Sequence, residues 1–310
     1  MACISPVTDG MAIRLRDVHR HFGSLRAVDG VDLAIPQGEI FGLIGHNGAG
    51  KSTLFKLMLG LETATTGEIL INGTSVQARG FRAMRRHIGY LPESVVLYDN
   101  LSGLETLRFF ARLKGAPLQQ CPLMLERAGL AHAGKRPVRE YSKGMRQRLG
   151  FAQALLGNPR VLFLDEPTNG LDPQAIRDFY LGLRDLQHSG VTIVITSHVL
   201  AELQERVDRL AILVLGRVQA QGSIQTLRER TRLPLTIEVD LGDDARASVL
   251  HAVTPYLDGP VETTALGLRL RCPRQHKMAL LGSLVSLQGQ IHDLRLLEPS
   301  LEDMFLGISD

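Results

Sequence analysis

The sequence predicts an α/β domain followed by a smaller α+β domain, and three observations carry that expectation. Short apolar runs at residues 40–44, 161–164 and 191–196 read as buried strands of a mostly parallel sheet. A glycine-rich loop follows the first of them directly and opens a helix at Lys51. Beyond about residue 230 the order becomes strand, helix, strand, strand, helix, strand, the split ferredoxin-like plan.

Taken in order, residues 13–18 alternate in period two, turn at Gly23 and resume over residues 28–35, which predicts an antiparallel β subdomain ahead of a mixed sheet. The strand at 40–44, the loop and a helix over 51–59 follow. From about residue 94 to 156 the spacing turns helical, as at Leu104, Leu107 and Ala111, with breaks at 115–117 and 129–137, so a helical subdomain is inserted there. The sheet resumes at residues 161–164 and 191–196. A domain boundary near residue 230 divides 1–230 from 231–310. The second part reads as strand 235–240, helix 244–257, strands around Val261 and Leu268, helix 275–287 and strand 291–296. A last short helix is expected from Ser300, whose hydroxyl can cap it while Asp303 reaches back.

Composition narrows the function classes. At 310 residues and 44% hydrophobic content the chain can bury a core, so it is not a disordered one. Lys and Arg number 35 against 32 acidic residues, which gives no basic stripe for nucleic acid, and the short Arg-rich stretch at 82–86 reads as a solvated face. Cys3, Cys121 and Cys272 are odd in number and widely spaced, so neither a disulfide framework nor a metal knuckle is indicated and a reducing cytoplasm fits. The first ten residues lack the basic start and apolar core of a secretory signal. Apolar runs such as 210–215 fall far short of the ~18 to 20 residues of a membrane span, so a membrane role requires a partner.

GHNGAGKS at residues 45–52 fits the phosphate-loop pattern GxxxxGK[ST] and lies between a buried strand and a helix, as that mechanism requires. Gly45, Asn47, Gly48, Ala49 and Gly50 form a loop whose backbone N–H groups can wrap phosphates; Lys51 neutralises them, Ser52 reaches a Mg²⁺ ion, and Thr53 extends the helix start. A purely structural glycine turn needs no Lys-Ser pair. Downstream, the run at 161–164 ends in Asp165 and Glu166, two carboxylates at the carboxyl end of a strand, one suited to the metal and the other to a water. Alone such a pair is an ordinary solvated turn; with the phosphate loop it reads as hydrolytic. Ser142 caps a predicted helix running to residue 156, leaving an anion-seeking helix end with no phosphate of its own.

YSKGMRQR at 141–148, about 20 residues before the acidic pair, resembles the signature of ABC-type ATPases, and with it the chain is similar to that family's nucleotide-binding domain. The resemblance implies ATP and Mg²⁺ as ligands, with Glu166 as general base and His198, in the sequence TSH, beside it, and Asp165 with Ser52 and Glu93 at the metal. It also implies a homodimer in which Ser142, Lys143, Gly144 and Met145 of one copy close on nucleotide held by the other, with Asp172 in the inter-subunit loop and Phe22 stacking on adenine. A lone Phe is usually core and a lone His usually a bystander; their order and spacing here support each other. Three positions depart from the family pattern: Glu93 stands where Gln is usual, Lys143 where Gly is common and Met145 where Gln is common.

HNGAGKST, the phrases YLPESVVLYDNLSGLETLRFFARLKG and YSKGMRQRLGFAQALLGNPRVLFLDEPT, and the closing EPSLEDMF are similar to NosF-type ATPases of transporters that mature the copper site of nitrous oxide reductase. That resemblance implies a NosY-type membrane permease, a periplasmic NosD-type protein and a place on the cytoplasmic face of the inner membrane. His19 and His21 share one strand face, yet without a Cys or Met cluster they read as a surface pair rather than a copper site. Two rival readings are a drug or lipid exporter motor with the same chemistry and a soluble ABC ATPase of translation or DNA repair. The second usually brings two ATPase domains, a long coiled coil or zinc modules, whereas about 90 residues without heptads or Cys modules separate Lys51 from Ser142. A non-hydrolysing regulator is disfavoured by Lys51, Asp165, Glu166 and His198 together.

Overall fold

The structure is a computed structural model describing residues 10–198, 203–230 and 234–298. β1 (Met11–Phe22) turns at Gly23 and pairs antiparallel with β2 (Leu25–Pro36), joined by β4 (Thr66–Ile71) and β5 (Thr74–Ser75) in the order β2-β1-β4-β5. This is the antiparallel subdomain that the period-two alternation predicts. It packs its apolar face, Ile13, Leu15, Val28 and Ile35 among others, into the core shared with the larger sheet.

The larger sheet runs β10-β9-β3-β8-β7-β6, built from β3 (Ile40–Ile44), β6 (Ile88–Leu91), β7 (Val161–Asp165), β8 (Thr192–Ser197), β9 (Arg209–Val214) and β10 (Arg217–Gly222). Every pairing is parallel except β9 with β10, so the sheet is mixed. All residues of β3, β7 and β8 are buried, which is why those strands read as continuous apolar runs rather than alternating ones. α1 (Lys51–Met58) covers one face through Leu54, Phe55, Leu57 and Met58, and Phe55 meets Phe163 edge to face at 5.3 Å between centroids.

After the single-turn α2 (Phe81–Met84), the inserted helices are α3 (Gly103–Lys114), α4 (Gln120–Arg127) and α5 (Lys143–Leu155). α3 opens with a reciprocal cap between Ser102 and Glu105 and closes on Gly115 at φ 73°, a start and a stop both written in the sequence. α6 (Pro173–His188) crosses back to β8.

The chain divides into two compact units, Met1–Gly222 and Ser223–Asp310. β10 ends at Gly222, and the Ser223 hydroxyl, accepting from the Thr226 N–H at 3.1 Å, starts a new helix, α7 (Ile224–Arg230). The second unit continues with β11 (Leu235–Leu241), α8 (Arg246–Val253), β12 (Glu262–Thr263), β13 (Gly267–Cys272), α9 (Lys277–Ser286) and β14 (Ile291–Leu297). Its strands are all antiparallel in the order β12-β13-β11-β14. Both helices are shorter than the sequence suggests, since single 3-10 turns flank α8 and precede α9. The helix expected from Ser300 lies outside the described residues. Among the described residues no helix is long and apolar enough to cross a membrane.

Candidate active site

β3 ends at Ile44, and the chain turns through residues 45–50 before α1 begins. Gly48 and Gly50 hold φ of 84° and 104°, left-handed values that glycine adopts freely. A Cβ at Gly50 would stand 2.3 Å from the Ala27 carbonyl oxygen, and one at Gly45 2.4 Å from that of Leu213, so backbone packing excludes side chains there. No side chain caps α1 and no acidic residue occupies its first turn, which leaves its positive end available to an anion.

Lys51 is 7% exposed. Its Nζ donates to the carbonyl oxygens of Gly45 (2.5 Å) and His46 (3.3 Å) and stands 4.0 Å from Glu166 Oε1. Burial pulls its pKa below the ordinary value, while the carboxylates of Glu166, Asp165 and Glu93 act in the opposite sense. On β6 the Tyr90 phenol is pushed up to about 12 by burial and by the same Asp165 and Glu93, so it stays neutral beside them.

Asp165 closes β7, and Glu166 follows in a left-handed conformation at φ 47°. A β-carbon-bearing residue there is strained. Thr196, the register partner of Asp165 on β8 and 0% exposed, holds both residues: its hydroxyl donates to Asp165 Oδ1 at 2.5 Å and accepts the Glu166 N–H at 3.0 Å. Only a hydroxyl can donate and accept at that point. The Glu166 side chain reaches His198, with Oε2 2.7 Å from Nδ1.

These groups border one open cavity of about 430 Å³. Asn47, Gly48, Gly50, Lys51, Ser52 and Thr53 line it from the loop and α1, and Glu93, Asp165, Glu166 and His198 from the sheet ends. Phe22, 44% exposed, lies at its apolar side with the Arg20 guanidinium 4.3 Å from the ring centroid. Leu25 and Leu215 share that side, the latter 82% exposed.

Gly45, Ala49, residues 142–145 and Asp172 are not among the lining residues. Gly45 and the buried Ala49 shape the loop from behind. Ser142 caps α5, its hydroxyl accepting the Met145 N–H at 3.2 Å. A Cβ at Gly144 would stand 3.2 Å from the Gly170 carbonyl oxygen, and one at Gly170 2.9 Å from Lys143 Cδ, so the start of α5 packs against the loop after Glu166. Gln147 Nε2 donates to the Pro167 carbonyl oxygen at 3.2 Å across the same contact. Asp172 caps α6 through the Ala175 N–H at 2.8 Å.

Thr196, behind the two carboxylates, and the cavity-lining Leu25, Arg26, Ala27, His46 and Leu215 are the residues that sequence reasoning missed. Thr196 carried one usable signal, a hydroxyl closing a β-branched run just ahead of Ser197 and His198. Leu215 carried none, because nothing in an apolar run says which end meets a ligand.

A glycine loop, a buried lysine and two carboxylates at the carboxyl ends of an α/β sheet define a phosphate-loop nucleotide hydrolase. The chain belongs to the ATP-binding proteins of ABC transporters: residues 28–169 match the family described as ABC transporter. It is 34% identical over 302 residues to the uncharacterized ABC transporter ATP-binding protein YhcH of Bacillus subtilis (strain 168), spanning 96% of this chain and 95% of that one. The daunorubicin resistance ATP-binding protein DrrA3 of Streptomyces coeruleorubidus is 33% identical, with 96% of each chain covered. ATP-binding cassette sub-family A member 7 of Rattus norvegicus is 36% identical across 97% of this chain, which spans only 14% of that protein. Among solved structures, an ATP-binding subunit of an ABC transporter superposes with a TM-score of 0.66 at 32% identity, covering 71% of this chain and 92% of that one. An ATP-binding cassette solved as a dimer with ADP and phosphate gives 0.63 at 25% identity, covering 68% and 98%. The chain is thus an ATP-binding, ATP-hydrolysing domain of a family whose members work as dimers with membrane permease subunits.

Proposed function

We propose that this chain is the motor subunit of a membrane transporter, working as a head-to-tail homodimer beneath a permease at the cytoplasmic face of the inner membrane. The observation that supports this best is the convergence of Lys51, Asp165, Glu166 and His198 on a cavity that contains none of residues 142–145. In a two-fold dimer the capped start of α5, with Ser142, Lys143, Gly144 and Met145, would complete the partner's site, and Asp172 would stand at the junction.

The triphosphate lies along the loop with its charge met by Lys51 and the N-terminus of α1, and the base rests on the apolar side formed by Phe22, Leu25 and Leu215. Glu166 accepts the proton of the attacking water as its oxygen bonds to the γ-phosphorus, and the bridging oxygen leaves with its electron pair on ADP. His198, in contact with Glu166, orients that carboxylate. Ser52, Asp165 and Glu93 are an oxygen donor set that suits Mg²⁺, which when bound supplies positive charge to the phosphates. Glu93 in place of a neutral amide adds a negative charge to that set.

For the cargo, the phrases shared with NosF-type ATPases support maturation of the copper site of nitrous oxide reductase, with NosY-type and NosD-type partners. The likeness to the daunorubicin resistance protein along nearly its whole length favours a second reading, the motor of a drug exporter. The second unit reads as a ferredoxin-like accessory domain, supported by its element order and strand order. Purifying the chain with its co-expressed membrane subunits separates the cargo readings: a periplasmic repeat protein in the complex favours maturation, and a permease alone favours export.

Glu166→Gln tests the mechanism. It is expected to slow turnover by about 100-fold or more and to accumulate an ATP-bound pair of doubled mass in light scattering. Unchanged turnover removes Glu166 as the base, and a single-chain mass with ATP bound removes the shared site.

A further inference from the structure

The β1–β2 ribbon carries a second cluster of ligating side chains, apart from the phosphate loop. His19 and His21 project from one face of β1, and β2 places Asp29 against them, so that one ligand atom from each lies within 4.8 Å of the other two. Arg217 fixes the Asp29 carboxylate by gripping Oδ2 through Nε at 3.0 Å and Nη2 at 2.7 Å, which leaves Oδ1 facing His19. Opposite, His19 Nε2 is 3.0 Å from Asp17 Oδ1. The Nε2 atom of His21 is buried and has no hydrogen-bond partner.

His19 Nδ1 stands 3.1 Å from both the Gly30 N–H nitrogen and Asp29 Oδ1. One ring nitrogen cannot serve both. With a proton it faces another N–H; without one it faces a carboxylate oxygen, lone pair against lone pair. A cation shared by Nδ1 and Oδ1 relieves that repulsion, and because it takes the one Nδ1 lone pair it displaces the Gly30 N–H from this acceptor. Their 3.1 Å separation is already close to the roughly 3.4 Å between donors of a tetrahedral site with ligands at about 2.1 Å.

We propose that His19, His21 and Asp29 bind a borderline divalent cation of the Zn²⁺ type, with Asp17 as the carboxylate that orients His19 from behind. Two imidazoles and one carboxylate, with water completing the shell, are a nitrogen-rich set that Mg²⁺ disfavours and Zn²⁺ accepts. An Asp17 bond to the distal ring nitrogen is the support that ligating histidines need. The buried His21 Nε2, which has no hydrogen-bond partner, gives up no bond in turning to the ion. Arg26 at 3.6 Å from Asp29 and Arg217 oppose the ion's charge, and Asp17 offsets part of that. This site does not depend on the transport reading, and Arg26 also borders the nucleotide cavity.

The full-length protein, stripped with chelator and dialysed against Zn²⁺ in excess Mg²⁺, should take up one Zn²⁺ per chain. His21→Ala should abolish that uptake while Mg²⁺-dependent ATP hydrolysis continues, which shows the variant is folded. Asp17→Asn should weaken it about 10- to 100-fold. Co²⁺ in place of Zn²⁺ should give tetrahedral visible absorption bands that vanish in His21→Ala. Absence of stoichiometric uptake, uptake that survives His21→Ala, or equal affinity in Asp17→Asn overturns the proposal.

Discussion

The two units of this chain bury different things. Among the described residues every buried charged or polar side chain, including Asp29, Glu39, Lys51, Gln147, Asp165, Glu166 and Thr196, belongs to the first unit, while the core of the second is apolar throughout, from Ile237 and Val239 to Leu280 and Leu284. Burying a charge is costly unless partners meet it. In the first unit Lys51, Asp165, Glu166 and Thr196 bear that cost where ATP chemistry needs it, at the carboxyl ends of parallel strands; the second has an alternating antiparallel sheet whose inner face packs the apolar core. Stability and catalysis should therefore come apart when each core is altered.

The largest effect is expected from the second unit. Ile237, fully buried, should cost about 2–5 kcal/mol when cut to Ala, through lost contacts and the cavity left behind. Urea unfolding should show an early transition while kcat for ATP stays at the parental value below it. A fall in kcat in the folded range would break the separation.

A smaller and opposite signature is expected at Thr196. Thr196→Val keeps the shape but leaves the Glu166 N–H and Asp165 Oδ1 without their hydroxyl; a loss of about 1–3 kcal/mol, concentrated in the transition state, lowers kcat about tenfold or more. The KM for ATP should stay within about twofold, because the loop and Lys51 are untouched. Thr196→Ser should restore most of kcat. Equal losses in both variants would mean Thr196 only packs.

The smallest concerns Lys114 at the end of α3, half-buried and held at about 8 by burial. The folded state there binds its proton less tightly than the unfolded chain, whose value is near 10.5. The charged form thus costs stability below about 8, and the cost fades as pH rises toward 10.5. Lys114→Met should raise the thermal midpoint more at neutral pH than at pH about 9.5. An equal shift at both would place its effect in packing alone.

Much of this was legible in the sequence because the signals were local. The phosphate loop, the acidic strand end and the Ser142 cap are each written in a few adjacent residues, the element order of the second unit follows from short periodic segments read one after another, and β3 matches its expected span at residues 40–44. What escaped depends on pairings across the sheet. Thr196 lies 31 residues from Asp165 and meets it only because β7 and β8 are parallel neighbours in register. Asp29 joins His19 and His21 only through the β1–β2 pairing.

Gln147 has a consequence beyond a single chain. Its amide ties α5, whose start would meet the partner's nucleotide, to the Pro167 carbonyl one residue after the chain's own Glu166. In a two-fold pair each helix would then report the occupancy of one pocket to the carboxylate of the other. The two hydrolysis events would share a clock, and a dimer with one disabled carboxylate would run slower than half speed.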